Sequence, residues 1–464
     1  MFKKITACFA ALLMAFSLLP TVSFAEGFDP NEVSTPYIVL MEASSGTVLF
    51  EKNAHEHSFP ASTTKVMTCI LALEQCPDLD VTVTVGENVE TRGSTMGIVR
   101  REELSLRSLL YGLMLRSGND AAKAIAEHIS GTESEFANLM NQKAASLGMT
   151  DTHFVKSNGL HNEDHYCSAY DMALLTRYAM KNEEFRSIVS AETYDVPPTN
   201  KDSNGYQLTN SNKLIYTKEG EDSYEYRYAT GVKTGDTDYA GRCLVASAER
   251  DGVELILVLF GDYSNKVSTN YRFENAAKFF DWGFANYDSL DPTLLNLETE
   301  FTFPVTGATE TEITATANLE GHTVTDKKDV IAAIEADPTQ VVAQTALTRK
   351  LEAPIAAGEV IGTVAYQYQS ATLFSVDLVA SSAIEPAPIE TVPAPSASPL
   401  IAGTPENSDT EDGNGEKGSS LVFWIVLLVV LLVIVLAAKA IATTRRRRRR
   451  ARKRKAYRSN YNRR

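Results

Sequence analysis

The chain has 464 residues, 44% of them hydrophobic, with Gly and Pro at ordinary levels, which is enough for two or three domains. Its formal charge of −15 conceals an asymmetry: all 59 acidic residues but only 28 of the 44 basic ones fall within 26–419, leaving that stretch at −31. So acidic a stretch excludes a nucleic-acid partner.

Residues 1–25 begin with Lys3 and Lys4, continue through a mostly apolar run from Ile5 to Leu19, and end in Ser23-Phe24-Ala25. A basic start, an apolar middle and small residues at −3 and −1 form a cleavable export signal. Ile5-Thr6-Ala7-Cys8 has the look of a lipidation box, but its apolar run follows Cys8 instead of preceding it, so lipidation is rejected. Tyr37 to Met41, a Ser44-Ser45-Gly46 turn and Thr47 to Phe50 predict a hairpin. From Pro60 a helix is expected to about Gln75, apolar on nearly every side (Val66, Met67, Ile70, Leu71, Leu73) and therefore central and buried.

Cys69 and Cys76 lie on that helix, roughly 10 Å apart along its axis and too far to bridge each other. Cys167 and Cys243 have the option of pairing with each other or with one of these, and no Cys spacing suggests zinc. A helical pattern over Leu104 to Leu115 breaks at Ser117-Gly118 and resumes from Asp120 to Ile129. His153, His161 and His165 cluster in a loop without metal-ligand spacing and read as surface histidines. Strands are expected at Arg242 to Ala248 and Val253 to Phe260, and a closing helix at Phe273 to Phe284. The first part of the chain is thus α/β (α+β), with helices between early and late strands.

From about Asp291 to Ala380 short alternating runs take over (Phe301 to Phe303, Glu312 to Thr316, Val360 to Tyr366, Thr372 to Val379), the pattern of a small all-β sandwich. Residues 381–419 are rich in Pro and then in acids, Gly and Ser, and read as a flexible linker. Leu421 to Ala438 is an unbroken apolar stretch of 18 residues, followed in 445–464 by 13 Lys and Arg and no acid. These features predict a transmembrane helix over 420–442, a basic cytoplasmic tail over 443–464 that meets the cytoplasmic membrane, and everything upstream outside.

Three short motifs carry chemistry. In Ser62-Thr63-Thr64-Lys65 the i, i+3 spacing puts Ser62 and Lys65 on one helix face, within hydrogen-bonding reach. A serine hydroxyl needs an adjacent base, and a lysine half-buried among apolar groups, its charged form disfavoured, supplies one. The helix N-terminus also offers the Ser62 backbone N–H to a developing oxyanion. Ser117-Gly118-Asn119 fills the gap between two helices. Lys233-Thr234-Gly235 opens the late strands: Lys233 is suited to neutralise a carboxylate, Thr234 to hydrogen-bond it, and Gly235 to let a peptide backbone lie alongside. Each motif alone is an ordinary cap or turn.

Together and in this order they are the signature of penicillin-binding proteins and serine β-lactamases. The surrounding residues resemble one branch, the low-molecular-mass penicillin-binding proteins of the D-alanyl-D-alanine carboxypeptidase family. The likeness lies in Pro60-Ala-Ser-Thr-Thr-Lys65-Val-Met-Thr68, Leu115-Arg-Ser-Gly-Asn-Asp-Ala-Ala122, Asn158-Gly159-Leu160, Ser168-Ala-Tyr-Asp-Met172, Gly231-Val-Lys-Thr-Gly235, Ala240-Gly241 and Trp282-Gly-Phe284. It implies a penicillin-binding, serine β-lactamase-like catalytic domain over 30–288 and a small β-domain over 291–380. It also implies that Ser62 is the acyl-ester nucleophile, Lys65 its base and Ser117 a proton shuttle.

Asn119, Lys233, Thr234, Gly235, the backbone N–H of Asp236 and Arg272 would then bind a peptidoglycan stem peptide ending in two D-alanines, and β-lactams would inhibit by acylating Ser62. The resemblance implies no metal and no cofactor. Asp236 stands where the family usually has an uncharged residue or His, and altered affinity is the expected consequence. A β-lactamase, and a non-hydrolytic sensor of wall peptide or β-lactam, are the alternatives. The tethered β-domain argues against the first and the short basic tail against the second.

Overall fold

In the computed structural model the described residues are 28–263 and 271–388. The export signal expected at 1–25 and the expected linker from 389 onward lie outside them, as do the basic tail and Cys8.

The chain starts with the expected hairpin, β1 (Tyr37–Glu42) and β2 (Val48–Lys52), then a single 3-10 turn at Ala61–Thr64 that leads into α1 (Lys65–Gln75). After two short strands, β3 (Thr82–Thr84) and β4 (Glu103–Ser105), come α2 (Leu106–Met114), α3 (Asn119–Ser130) and α4 (Glu133–Ser146). Helices α5 (Ala169–Ala179) and α6 (Glu183–Ser190) and the pair β5 (Thr193–Val196) and β6 (Tyr206–Thr209) precede the long strands. These are β7 (Ala229–Thr237), β8 (Gly241–Arg250) and β9 (Val253–Asp262), and α7 (Tyr271–Asn286) closes the domain.

The central sheet runs β2-β1-β9-β8-β7, antiparallel throughout, so the first strands pair with the last. Successive side chains of a strand point to opposite faces, and β9 serves two cores in this way. Ile256, Val258 and Phe260 join α1, α2, α3 and α5 on one face, while Leu255, Leu257 and Leu259 pack with Phe273, Phe279 and Phe280 of α7 on the other. A strand buried on both faces must be apolar along its whole length, which is why β9 reads as a continuous run. Helix α1 is the hub of the larger core: eight of its eleven residues are buried, Lys65 among them.

The catalytic-domain fold and the β-rich region after it are as expected, with two corrections. The second domain is not all β. Its five-stranded antiparallel sheet β11-β12-β16-β15-β14 is formed by β11 (Glu300–Pro304), β12 (Glu312–Ala317), β14 (Val342–Leu347), β15 (Val360–Tyr368) and β16 (Ala371–Ala380). It packs against a small layer made of the pair β10 (Tyr287–Leu290) and β13 (Val324–Lys327) with helix α8 (Lys328–Ala336), through Leu290, Val324, Ile331, Ile334 and Tyr368.

The second correction concerns the membrane. Among the described residues no helix is long and apolar enough to cross one. The longest, α7, has 16 residues, about 24 Å against a hydrocarbon core of roughly 30 Å, and it carries Arg272, Glu274, Lys278 and Asp281. The described residues therefore comprise a catalytic domain and a β domain, with no spanning helix among them, and the segment 420–442 expected to provide one lies outside the described residues.

Candidate active site

The three motifs meet at one edge of the sheet. Ala61 takes φ +48 immediately before Ser62, and Ser117 takes φ +58. Left-handed backbone at a residue with a Cβ is disfavoured by on the order of 1 kcal/mol and is concentrated at working sites. Strand β7 closes against the Ser62 turn at Gly235. A Cβ there would lie 3.0 Å from the Pro60 carbonyl oxygen and 3.2 Å from Ala61 Cβ, so a larger residue would push the strand off the turn.

Lys65 is fully buried, and its Nζ lies 2.9 Å from Ser62 Oγ, 2.7 Å from Asn119 Oδ1 and 2.9 Å from the Asn158 carbonyl oxygen. The two amide oxygens can only accept. A neutral amine has two N–H bonds for them, which leaves its lone pair facing the Ser62 hydroxyl. Burial, then the nearby Lys233 charge, hold Lys65 well below the ordinary lysine range, while Asp120 acts weakly in the opposite direction. The geometry and the electrostatics both favour the form that can take the serine proton.

Asn119 has both ends of its amide engaged, Oδ1 with Lys65 and Nδ2 donating to the Arg92 carbonyl at 2.6 Å. Here it positions the amine. Asp120 braces the same wall by accepting from the backbone N–H groups of Met96, Gly97 and Ile98. Ser117 is nearly buried in the turn between α2 and α3.

Lys233, 1% exposed on β7, sends its Nζ to the Thr234 carbonyl at 3.1 Å. Burial and then the Arg272 charge push its ammonium down to about 7. Thr234 Oγ1 is 2.9 Å from Ser211 Oγ. Asp236 is exposed and faces Arg242, its cross-strand partner, at 3.7 Å, so the added negative charge is met locally. Arg272 commits Nη1 to the backbone carbonyls of Gly235 (3.0 Å) and Cys243 (3.3 Å), and its Nε is buried without a hydrogen-bond partner. It supports β7 and raises the local positive potential. Two buried lysines and this arginine thus lie close together at the site.

Several residues here were given no role from the sequence. The loop carrying Asn158 is clamped by Thr68 Oγ1 on the Ser157 carbonyl at 2.6 Å and by Lys65 on that of Asn158. Gly159 (φ +79) packs so close to the Ser62 turn that a Cβ would lie 1.9 Å from the Ala61 carbonyl oxygen. Ser211 lies just past the end of the short strand β6, with no motif to mark it. His165, read as a surface residue, is buried. Its Nδ1 accepts from the backbone N–H of Val155 at 3.0 Å, so Nε2–H donates to Thr64 Oγ1 at 2.9 Å. Burial first, then the neighbouring basic side chains, His153 foremost, lower it to about 3, so it stays neutral. Cys69, Cys76, Cys167 and Cys243 are free thiols, and burial pushes Cys243, the β8 partner of Gly235, up to about 12.

A family model described as D-alanyl-D-alanine carboxypeptidase matches residues 25–264, and one described as the C-terminal domain of penicillin-binding protein 5 matches residues 310–386. The D-alanyl-D-alanine carboxypeptidase DacF of Bacillus subtilis is 35% identical over 256 residues, 54% of this chain and 62% of that protein. DacA of Haemophilus influenzae, with the same descriptive name, is 30% identical over 365 residues, 76% of this chain and 86% of that protein. The crystal structure of penicillin binding protein 5 from Haemophilus influenzae aligns with a TM-score of 0.63 at 29% identity, covering 77% of this chain and all of that one. With more than half of its length matched by the first model and a second relative covered nearly end to end, this chain belongs to the D-alanyl-D-alanine carboxypeptidase family of low-molecular-mass penicillin-binding proteins.

Proposed function

We propose that this chain is a serine-type D-alanyl-D-alanine carboxypeptidase that removes the terminal D-alanine from peptidoglycan stem pentapeptides through an acyl-enzyme on Ser62. The observation that carries the reading is the buried Lys65 amine, 2.9 Å from Ser62 Oγ and fixed by two further acceptors. Ser62 Oγ attacks the carbonyl between the two D-alanines and gives its proton to Lys65 Nζ. The oxyanion sits between the backbone N–H groups of Ser62 and Asp236, an arrangement worth roughly 10²–10³ in rate per donor elsewhere. Ser117 passes a proton to the departing amine, and water then attacks the ester with Lys65 again as base.

Lys233, Thr234 and Gly235 hold the terminal carboxylate, with Arg272 behind them. β-Lactams acylate Ser62 by the same route. The catalytic domain runs from about residue 30 through α7 and the β-domain follows from β10, and the export signal read at 1–25 supports a position for both on the wall side of the membrane. The experiment is release of D-alanine from a pentapeptide ending in D-Ala-D-Ala. The purified protein should release it and Ser62→Ala should not; release by Ser62→Ala would defeat the assignment.

A further inference from the structure

The oxyanion site needs two backbone N–H groups from separate segments, Ser62 on the turn that opens α1 and Asp236 on β7, at a fixed spacing. One contact stops the two segments from closing. At Gly235 even a Cβ would come within 3.0 Å of the Pro60 carbonyl oxygen, so the strand already rests on the turn. A stop of this kind does not keep the strand from swinging away. Among the described residues no hydrogen bond links β7 to the turn, and β8 contributes only a weak one, from the Cys243 thiol to the Phe59 carbonyl at 3.6 Å.

The tie is aromatic. The His161 ring lies face to face with Tyr239, centroids 3.8 Å apart and planes 4° apart, and meets Phe59 edge-on at 4.7 Å and 84°. Phe59 stands three residues before Ser62, Tyr239 three residues after Asp236, and His161 two residues after Gly159. One imidazole thus joins the approach to the nucleophile, the loop that fixes Lys65 and the turn between β7 and β8. That turn is braced: the Ala240 N–H donates to Thr237 Oγ1 at 3.0 Å, and the Tyr263 hydroxyl donates to the Tyr239 carbonyl oxygen. The position of the Tyr239 ring is therefore passed back along the strand to Asp236. His161 serves here as a ring and not as a hydrogen-bonding group, because its Nδ1 is buried without a partner.

We propose that His161 is a positioning residue that, clamped between Phe59 and Tyr239, sets the gap between the Ser62 and Asp236 N–H groups. The inference rests on the carboxypeptidase reading and deepens it. His161 acts through Phe59 and Tyr239, so its effect falls on the transition state. Negative charge reaches the scissile carbonyl oxygen only as the bond to Ser62 forms, and N–H groups that have drifted apart then stabilise it less.

The test uses the full chain and a pentapeptide ending in D-Ala-D-Ala, with rates expressed per active site counted by prolonged reaction with a fluorescent penicillin. His161→Ala and Tyr239→Ala should each lower kcat/KM about tenfold, and His161→Phe, which keeps a ring, should stay within about threefold of wild type. Tyr239 is 60% exposed, so its removal opens no core and separates the clamp from a folding defect. The double variant His161→Ala, Tyr239→Ala should fall no more than about threefold below His161→Ala, because the two rings act as one contact. A peptide boronic acid, whose tetrahedral adduct on Ser62 places an oxygen in the oxyanion site, should lose affinity for His161→Ala in about the same proportion as kcat/KM. A loss below about threefold in either alanine variant, a His161→Phe no better than His161→Ala, losses that multiply in the double variant, or an unchanged boronate affinity would each overturn the clamp and leave the carboxypeptidase standing. A wild-type protein that releases no D-alanine would remove both.

Discussion

Gly159→Ala isolates the coupling between the Asn158 loop and the Ser62 turn. The added methyl would lie 1.9 Å from the Ala61 carbonyl oxygen, 2.6 Å from its carbon and 2.7 Å from Thr64 Oγ1. Restoring ordinary contact requires about 1.5 Å of relative movement, and a misplacement of even about 1 Å at a reacting centre can cost on the order of 10²-fold. The backbone at φ +79 adds roughly 1–2 kcal/mol against any residue with a Cβ. Neither side can yield cheaply. The loop is held by Thr68, by Lys65 and by His165, and the turn lies under Gly235 of β7. Movement of the loop withdraws the Asn158 carbonyl from Lys65; movement of the turn withdraws Ser62. The assay is the rate of acylation by a fluorescent penicillin, read beside thermal unfolding so that loss of fold is separated from loss of alignment. The expected result is a folded protein that acylates about 100-fold more slowly, or one with a clearly lowered Tm. Acylation within about threefold of wild type at unchanged Tm would refute the claim that this contact aligns the nucleophile.

Lys65→Ala should slow acylation by about 10²–10⁴-fold, the range of a lost general base, while near-ultraviolet circular dichroism stays native; near-normal acylation would mean another base. The free-enzyme ammonium of Lys233, pushed down to about 7, loses its proton as pH rises through that value, and with it the charge offered to the substrate carboxylate. The pH profile of kcat/KM for the D-Ala-D-Ala peptide should therefore fall above about 7, while that of kcat turns down at higher pH because bound carboxylate restores the proton. A kcat/KM that stays flat through the alkaline range would contradict this role for Lys233.

Much of the site was legible because its chemistry is written in short contiguous strings. Ser62 and Lys65 share a helix face by spacing alone, and the Ser117 turn shows as a break in an apolar pattern. Strands β8 and β9 announced themselves by continuous apolar runs. The roles that escaped notice depend on contacts between segments distant in the chain. Asn158 serves through its backbone oxygen, which no side-chain pattern can signal, and Gly159 is required by the position of Ala61, nearly a hundred residues away. His165 looks like any loop histidine until Val155 and Thr64 close around it. Asn119, expected to bind substrate, also engages Lys65 and the Arg92 carbonyl through its amide, contacts that its place in a helix-to-helix turn does not announce. In the second domain, α8 has only Ile331 and Ile334 as fully buried anchors, too few to stand out among alternating strands.

The central claim, that one activated hydroxyl forms the acyl-enzyme, is tested most directly by mass spectrometry of the protein after a brief exposure to penicillin. The account predicts one penicilloyl adduct, mapped to the peptide containing Ser62 and absent from Ser62→Ala. An adduct on any other residue, or one that persists in Ser62→Ala, would contradict it.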